Sequence, residues 1–114
     1  MDSILNSTKK VLGIHSDYTD FDIDIIMHIN TVFAVLNQLG VGPKDGFMIE
    51  DKYANWDEYI SSVNLVMVKS YMYLKVRLLF DPPSNGALME SLRQSISELE
   101  FRLLLEGGEN DEQL

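Results

Sequence analysis

Cysteine is absent from this chain of 114 residues, and basic residues are few. Without cysteine the chain has no disulfide framework, no thiolate metal ligand and no thiol nucleophile. Nine Lys and Arg residues face eighteen Asp and Glu residues, so the formal net charge is −9 at pH 7. Because binding to a nucleic-acid backbone needs cationic side chains, this charge disfavours sequence-independent binding to DNA or RNA. We therefore expect protein surfaces, including basic ones, as partners.

Long apolar runs are also missing. No uninterrupted apolar run reaches the roughly 18 residues of a membrane span. The N-terminal residues MDSILNSTKK lack the charged start and the apolar stretch of a signal peptide. We therefore expect a soluble protein that is not secreted and that has no membrane partner. Since 46% of the residues are hydrophobic and 24% are charged, the chain is expected to fold as one globular module.

Motifs for catalysis and metal binding are absent too. Asp20, Asp22 and Asp24 resemble the start of a calcium loop, but Ile25 stands where the sharp turn needs glycine. These carboxylates are better interpreted as complementing the dipole at a helix start. The two histidines have no partner at metal-ligand spacing, and no phosphate-binding loop or nucleophile elbow occurs. We predict no enzymatic activity, no metal and no cofactor.

One long apolar helix is predicted in the segment NLVMVKSYMYLKVRLLFDPP, residues 64–83. It should end near Phe80 or Asp81, because the two prolines that follow do not support helix. Helical spacing gives it a first stripe of Leu65, Val68, Met72, Val76 and Leu79 and a second stripe of Met67, Tyr71, Leu74 and Leu78. A helix with two apolar faces is either central in its domain or shared with another chain.

Three further main helices and one short helix complete a predicted all-α bundle. The main ones are expected from about Ser3 to Leu12, with Asp2 or Ser3 as the cap, from Thr19 or Asp20 to Leu39, and from Ala87 to Leu105. The inward stripes of the latter two are Ile25, Ile29, Val32, Leu36 and Leu39, and Leu88, Leu92, Ile96, Leu99 and Leu103. The short helix is expected after Asn55, which with Glu58 three residues later resembles a capping box.

The segments between and after these helices are predicted to be irregular. A long loop occupies residues 41–54, in which Phe47, Met48 and Ile49 form either a short strand or an apolar plug. Residues 106–114 combine two glycines with four acidic residues and are expected to be disordered. Residues 1–105 would then form a single helical domain.

The candidate site is a protein interface. Tyr73 and Arg77 share the least apolar sector of the long helix, and Tyr and Arg are enriched where protein surfaces meet. Phe101 and Leu105 fall off the inward stripe of the last helix. The candidate interface residues are Met67, Tyr71, Tyr73, Leu74, Lys75, Arg77, Leu78, Phe101, Leu105, Phe47 and Met48. Core packing is the more common explanation for aromatic residues in a small helical domain.

Several segments are similar to a known family. The run YMYLKVRLLFDPP (71–83), followed by SELEFR (97–102), resembles the small head-tail connector (adaptor) proteins of tailed bacteriophages that infect Gram-positive hosts. The segments at 4–14, 18–22 and 37–43 add to the resemblance. It implies an all-α structural protein without catalytic residues, which forms a ring, dodecameric in the virion, beneath the portal and links the DNA-filled head to the tail.

The same resemblance implies the partners and the location. The partners would be further copies of the chain, the portal protein and a tail-side connector or stopper protein. DNA would pass through the ring without being bound specifically. The protein would be found at the head-tail junction of the virion, and in the bacterial host cytoplasm during assembly.

A small acidic binding module, such as a phage-encoded regulator or inhibitor that occupies a basic protein surface, is the alternative function. It accounts for the negative charge, but it does not account for apolar surface in excess of what one small fold needs. Assembly uses such surface, since each copy in a closed ring offers one patch to its neighbour and receives a different one.

Overall fold

The computed structural model describes residues 3–60 and 64–112, with side chains described as far as Gly107. Five helices lie in these ranges: α1 (Ile4–Val11), α2 (Asp22–Gln38), α3 (Trp56–Tyr59), α4 (Leu65–Phe80) and α5 (Gly86–Glu112). The described ranges contain no strand, and an isolated antiparallel bridge pairs Ser3 with Asn55. The predicted all-α fold of four main helices and a short one is confirmed.

The two residues of that bridge, Ser3 and Asn55, are the predicted N-caps of α1 and α3. Ser3 is the N-cap of α1, and its Oγ accepts a hydrogen bond from the Asn6 amide at 3.2 Å. At α3, Glu58 Oε1 accepts from the Asn55 amide at 3.4 Å, which is the reciprocal half of a capping box. The Ile4 amide donates to the Ala54 carbonyl at 3.0 Å. The start of α1 is therefore tied to the end of the long loop.

Helix α4 is the centre of the fold, because α1, α2 and α5 all pack against it. In its first stripe, Val68, Met72 and Val76 are fully buried, Leu65 is partly buried, and Leu79, in the last turn, is exposed. In its second stripe, Tyr71 is fully buried, and the other three residues are partly buried against the core. Of the two arrangements open to a helix with two apolar faces, the chain adopts the central one, and α5 supplies the additional cover.

Helices α2 and α5 follow their predicted stripes except at one end. Ile25, Ile29, Val32 and Leu36 of α2 are fully buried, and Leu92, Ile96 and Leu103 of α5 are buried. Leu88, in the first turn of α5, is 61% exposed, so its predicted burial is wrong. Periodicity gives the direction of a side chain, but it does not tell whether a neighbouring helix reaches far enough to cover it.

Helix α5 extends beyond its predicted end at Leu105 and packs on the end of α2. Gly107 is buried there, and a Cβ atom at this position would lie 3.0 Å from the Gly40 carbonyl carbon and still closer to the Leu39 carbonyl oxygen. Glycine is needed for this close approach of two backbones. The tail predicted to be disordered comprises residues 106–114. Its side chains after Gly107, and the backbone of residues 113–114, lie outside the described residues.

A buried lysine holds the connection between α1 and α2. Lys9 is only 1% exposed, and its Nζ donates to the carbonyl oxygens of Ser16 at 3.1 Å and Tyr18 at 2.6 Å. The same Nζ lies 2.7 Å from Asp22 Oδ1. The ammonium group thus makes two hydrogen bonds to carbonyl oxygens and one ion pair. Asp22 therefore neutralises the buried ammonium group of Lys9, and it also lies in the first turn of α2.

Replacing Lys9 should destabilise the whole fold. In Lys9→Met the apolar stem is largely kept, but the Asp22 carboxylate loses its counter-ion and two carbonyl oxygens lose their donor. We expect the free energy of unfolding, measured by urea denaturation, to fall by about 3 kcal/mol. Lys10→Met is the matched control at an exposed neighbouring position and should change the stability little. Equal stability of the two variants would contradict the role given to Lys9.

Candidate interaction surfaces

The candidate sites among the described residues are apolar surfaces. In residues 3–60 and 64–107, whose side chains are described, no three His, Cys, Asp or Glu side chains come together in a way that would hold a metal ion. None of the helices in the described part of the chain is both long and apolar enough to cross a membrane. The candidate sites are the places where apolar side chains reach the solvent in groups.

An aromatic cluster anchors the loop at residues 41–54 to the body of the protein. The Phe47 ring lies 5.1 Å from the Phe33 ring and 5.2 Å from the Tyr59 ring, and the latter two rings are 4.6 Å apart. Tyr59 donates its hydroxyl to the Val41 carbonyl at 3.3 Å. Burial raises the pKa of Tyr59, so the hydroxyl remains a neutral donor. Of the two predicted alternatives for Phe47, the apolar plug is the one observed.

A glycine allows the loop to start close to this cluster. Gly42 has a φ of +89°, and a Cβ atom there would lie 2.6 Å from the Tyr59 ring. Any other residue would be strained by the backbone angle and would overlap the ring. The position of Tyr59 under the loop therefore requires a residue without a side chain at position 42.

An asparagine from α2 fixes the other half of the loop. The Ile49 amide donates to Asn30 Oδ1 at 2.8 Å, and Asn30 Nδ2 donates to the Ile49 carbonyl at 3.0 Å. Ile49 is buried, and Phe47 is partly buried. Met48, between them, points outward and is 73% exposed. Its neighbours on both sides are anchored, so this exposed side chain stands on a fixed piece of backbone.

Met48 borders a shallow groove between α2 and the loop, which we call the α2 groove. Its apolar lining consists of Met27, Phe33, Ala34, Phe47 and Met48, and its polar lining of Asn30, Thr31, Asn37, Asp45 and Gly46. Ile23, one turn before Met27, is also highly exposed. Sequence reasoning missed Ile23 and Met27, although the spacing of Ile23, Met27 and Ala34 places them together on the side of α2 opposite to its buried stripe.

A second apolar group lies on the outer side of α5 and is called here the α5 ridge. It consists of Phe101, Leu104 and Leu105, which are 62%, 49% and 53% exposed. Leu103 is fully buried on the inner side of the same turn. The structure thus places the predicted interface residues Phe101 and Leu105 on the surface, and it adds Leu104, which sequence reasoning missed although it lies one turn after Phe101.

Most candidate residues of α4 are used inside the chain. Tyr71 donates its hydroxyl to Glu100 Oε2 at 2.7 Å, and Lys75 Nζ lies 3.8 Å from the same oxygen. Burial raises the pKa of Tyr71, and the hydrogen bond to Glu100 raises it further. Because Tyr71 is fully buried by its own chain, it lies in the core and offers no surface to a partner. Lys75 and Leu78 line a groove shared with α5.

The remaining α4 candidates differ in exposure. Met67 and Leu74 are partly buried against the core. Tyr73 is also partly buried, and its ring meets the Trp56 ring edge-on at 6.2 Å. Arg77 is exposed. The eleven candidate residues therefore do not form one continuous surface, and those that reach the solvent most freely are Arg77, Met48, Phe101 and Leu105.

Removing the Asn30 side chain should loosen the loop. In Asn30→Ala the Ile49 amide and carbonyl both lose their partner, and we expect a loss of about 2 kcal/mol in unfolding free energy. Hydrogen exchange at the Ile49 amide, measured by NMR, should become faster. Asn37→Ala, at an exposed position of the same helix, is the control. Unchanged exchange at Ile49 would show that the loop does not depend on Asn30.

Comparison with known proteins gives one result over most of the chain. The family model described as phage connector protein matches residues 4–110. This range includes α1 to α4 completely and nearly all of α5. No curated protein and no solved structure matches the chain.

Proposed function

The chain belongs to the phage connector protein family, and on that basis we propose that it forms a ring beneath the portal that links the DNA-filled head to the tail. The family is one of structural phage proteins, so the general role of a connector follows from membership. The observation that carries the proposal is the match over residues 4–110, which includes both the α2 groove and the α5 ridge.

The exposed apolar groups support assembly. Single exposed apolar residues are common on protein surfaces, but groups of them occur mainly where a partner binds. The α2 groove and the α5 ridge are two such groups, and both remain after α4 and α5 have covered each other. The expected excess of apolar surface is therefore found on α2, the loop and α5, whereas the second stripe of α4 contributes little to it.

The proposal includes partners and place. The partners are further copies, which make a ring of twelve in the virion, the portal protein on one side and a tail-side connector or stopper protein on the other. Among the interface residues proposed from the sequence, those that contact these partners are the exposed ones, Met48, Arg77, Phe101 and Leu105. Residues 1–105 act as the connector domain, without catalytic activity, at the head-tail junction of a phage with a Gram-positive host.

The net charge fits a conduit for DNA. A ring of copies with a formal charge of −9 each repels the phosphate backbone, so DNA can pass without adhering.

Deleting the gene from the phage tests the proposed role. We expect the chain in purified virions, where mass spectrometry detects it, and we expect its removal to give unattached heads and tails in electron micrographs. Expression of the wild-type chain from a plasmid should restore infectious particles and serves as the control. Infectious particles formed at the wild-type level without the chain would contradict the proposal. A chain absent from virions but bound to a basic host protein would support the regulator alternative.

The DNA conduit makes a separate prediction for the purified chain. Fluorescence anisotropy with labelled duplex DNA should show no binding at low salt, where attraction between unlike charges is strongest. Repulsion between like charges is also strongest at low salt. We therefore expect no binding by the assembled protein either. Tight binding by the assembled protein would rule out a non-adhesive channel. A basic DNA-binding protein measured under the same conditions is the positive control.

A further inference from the structure

We infer that the α5 ridge of one copy occupies the α2 groove of the next copy. This inference rests on the proposed function, which supplies the ring but does not say which surfaces meet in it. Four observations support it: the positions of the two surfaces, their shapes, their charges and the rigidity of the loop beside the groove.

Both surfaces face the solvent, and they adjoin at the end of α2, because Leu104 of the ridge lines a shallow depression together with Asn37, which also lines the groove. Helices α2 and α5 both pack against α4, and each turns its buried stripe inward. Met27 and Phe101 lie on the opposite, solvent-facing sides of these helices. A single copy therefore does not cover its own groove with its own ridge. Contact between two different patches is heterologous, and it gives a closed ring when the rotation between neighbours closes.

The shapes of the two surfaces are complementary. Phe101, Leu104 and Leu105 stand at positions i, i+3 and i+4 of a helix, which is the spacing of a helix that binds in an apolar groove. The α2 groove is concave and runs between a helix and a loop, with apolar side chains on both walls. An α-helical ridge is the kind of element that such a groove accommodates.

The charges favour a second copy over a basic partner. Copies with a formal charge of −9 repel one another, so they can associate only where acidic side chains are few. The α5 ridge contains no charged residue, and Asp45 is the one charged residue in the lining of the α2 groove. A basic partner would gain most from surfaces rich in carboxylates, and these two surfaces offer it a single one.

The groove is also ready for binding. Ordering a loop on association costs affinity. The loop beside the groove is already fixed by the pairing of Asn30 with Ile49 and by the contacts of Phe47 with two aromatic rings. Met48 therefore presents its side chain to a neighbour without further ordering of the backbone.

Cysteine cross-linking tests this contact directly, because the chain has no cysteine of its own. The variant Met48→Cys with Leu104→Cys carries one thiol on each surface. Treatment with a short bismaleimide, on the purified protein at high concentration and on phage particles, should give a ladder of linked species above the dimer on denaturing gels. Each single-cysteine variant should stop at the dimer, since one thiol per copy cannot extend a chain of links.

Two controls make the ladder specific. Leu88→Cys replaces Leu104→Cys in a matched pair, because Leu88 lies on the same helix with similar exposure but far from the ridge. This pair should give no ladder. Adding Phe101→Glu to the Met48 and Leu104 pair should abolish the ladder, and circular dichroism should show that the variant remains folded. Met48→Cys with Phe101→Cys gives a second pair for the same contact.

The outcomes separate this inference from the proposed function. A ladder in solution or in particles supports the contact, and the absence of a ladder from both pairs in both samples overturns it. Virions that contain the chain but give no ladder keep the connector role and remove this contact. A ladder in solution from a chain that is absent from virions keeps the contact and removes the role.

Discussion

The fold depends on the burial of α4 from two sides. Its first stripe carries Val68, Met72 and Val76 into the core, and its second stripe carries Tyr71 against α5. Neither face can remain in water without a large loss of hydrophobic stabilisation. Helices α1, α2 and α5 are therefore arranged around α4, and the outward sides of α2 and α5 become the outer surfaces of the molecule.

This arrangement changes where assembly is expected to take place. Taken alone, a helix with two apolar faces predicts contact with a second chain, and several of the predicted interface residues lie on α4 for that reason. In the folded chain α5 covers the second stripe of α4. The residues that remain available to partners therefore lie on the outer sides of α2 and α5. The α2 groove and the α5 ridge are two sites where the described residues still expose apolar groups after the core is complete.

Sequence patterns predicted the helices and two caps because those depend on nearby residues. Helical periodicity identified the buried stripe of α2, and Ser3 and Glu58 marked two helix starts. The same patterns could not tell that Tyr71 meets Glu100 or that Lys9 is buried, since both depend on which helices become neighbours. For the candidate surfaces, the exposure of Phe101 and Leu105 followed from their position off the inward stripe. The spacing of α2 also places Met27 on the surface, but the groove beside Met27 depends on where the loop lies, which the spacing does not give.

The ion pair between Lys9 and Asp22 has a consequence for how related sequences can diverge. A shorter or apolar side chain at position 9 leaves the carboxylate and two carbonyl oxygens without a donor, whereas a neutral residue at position 22 leaves an ammonium group without its counter-ion. Each single change is unfavourable, but a joint change to two apolar residues removes both charges together. In an alignment of connectors with this fold, the two positions should therefore covary, with Lys and Asp lost or kept as a pair.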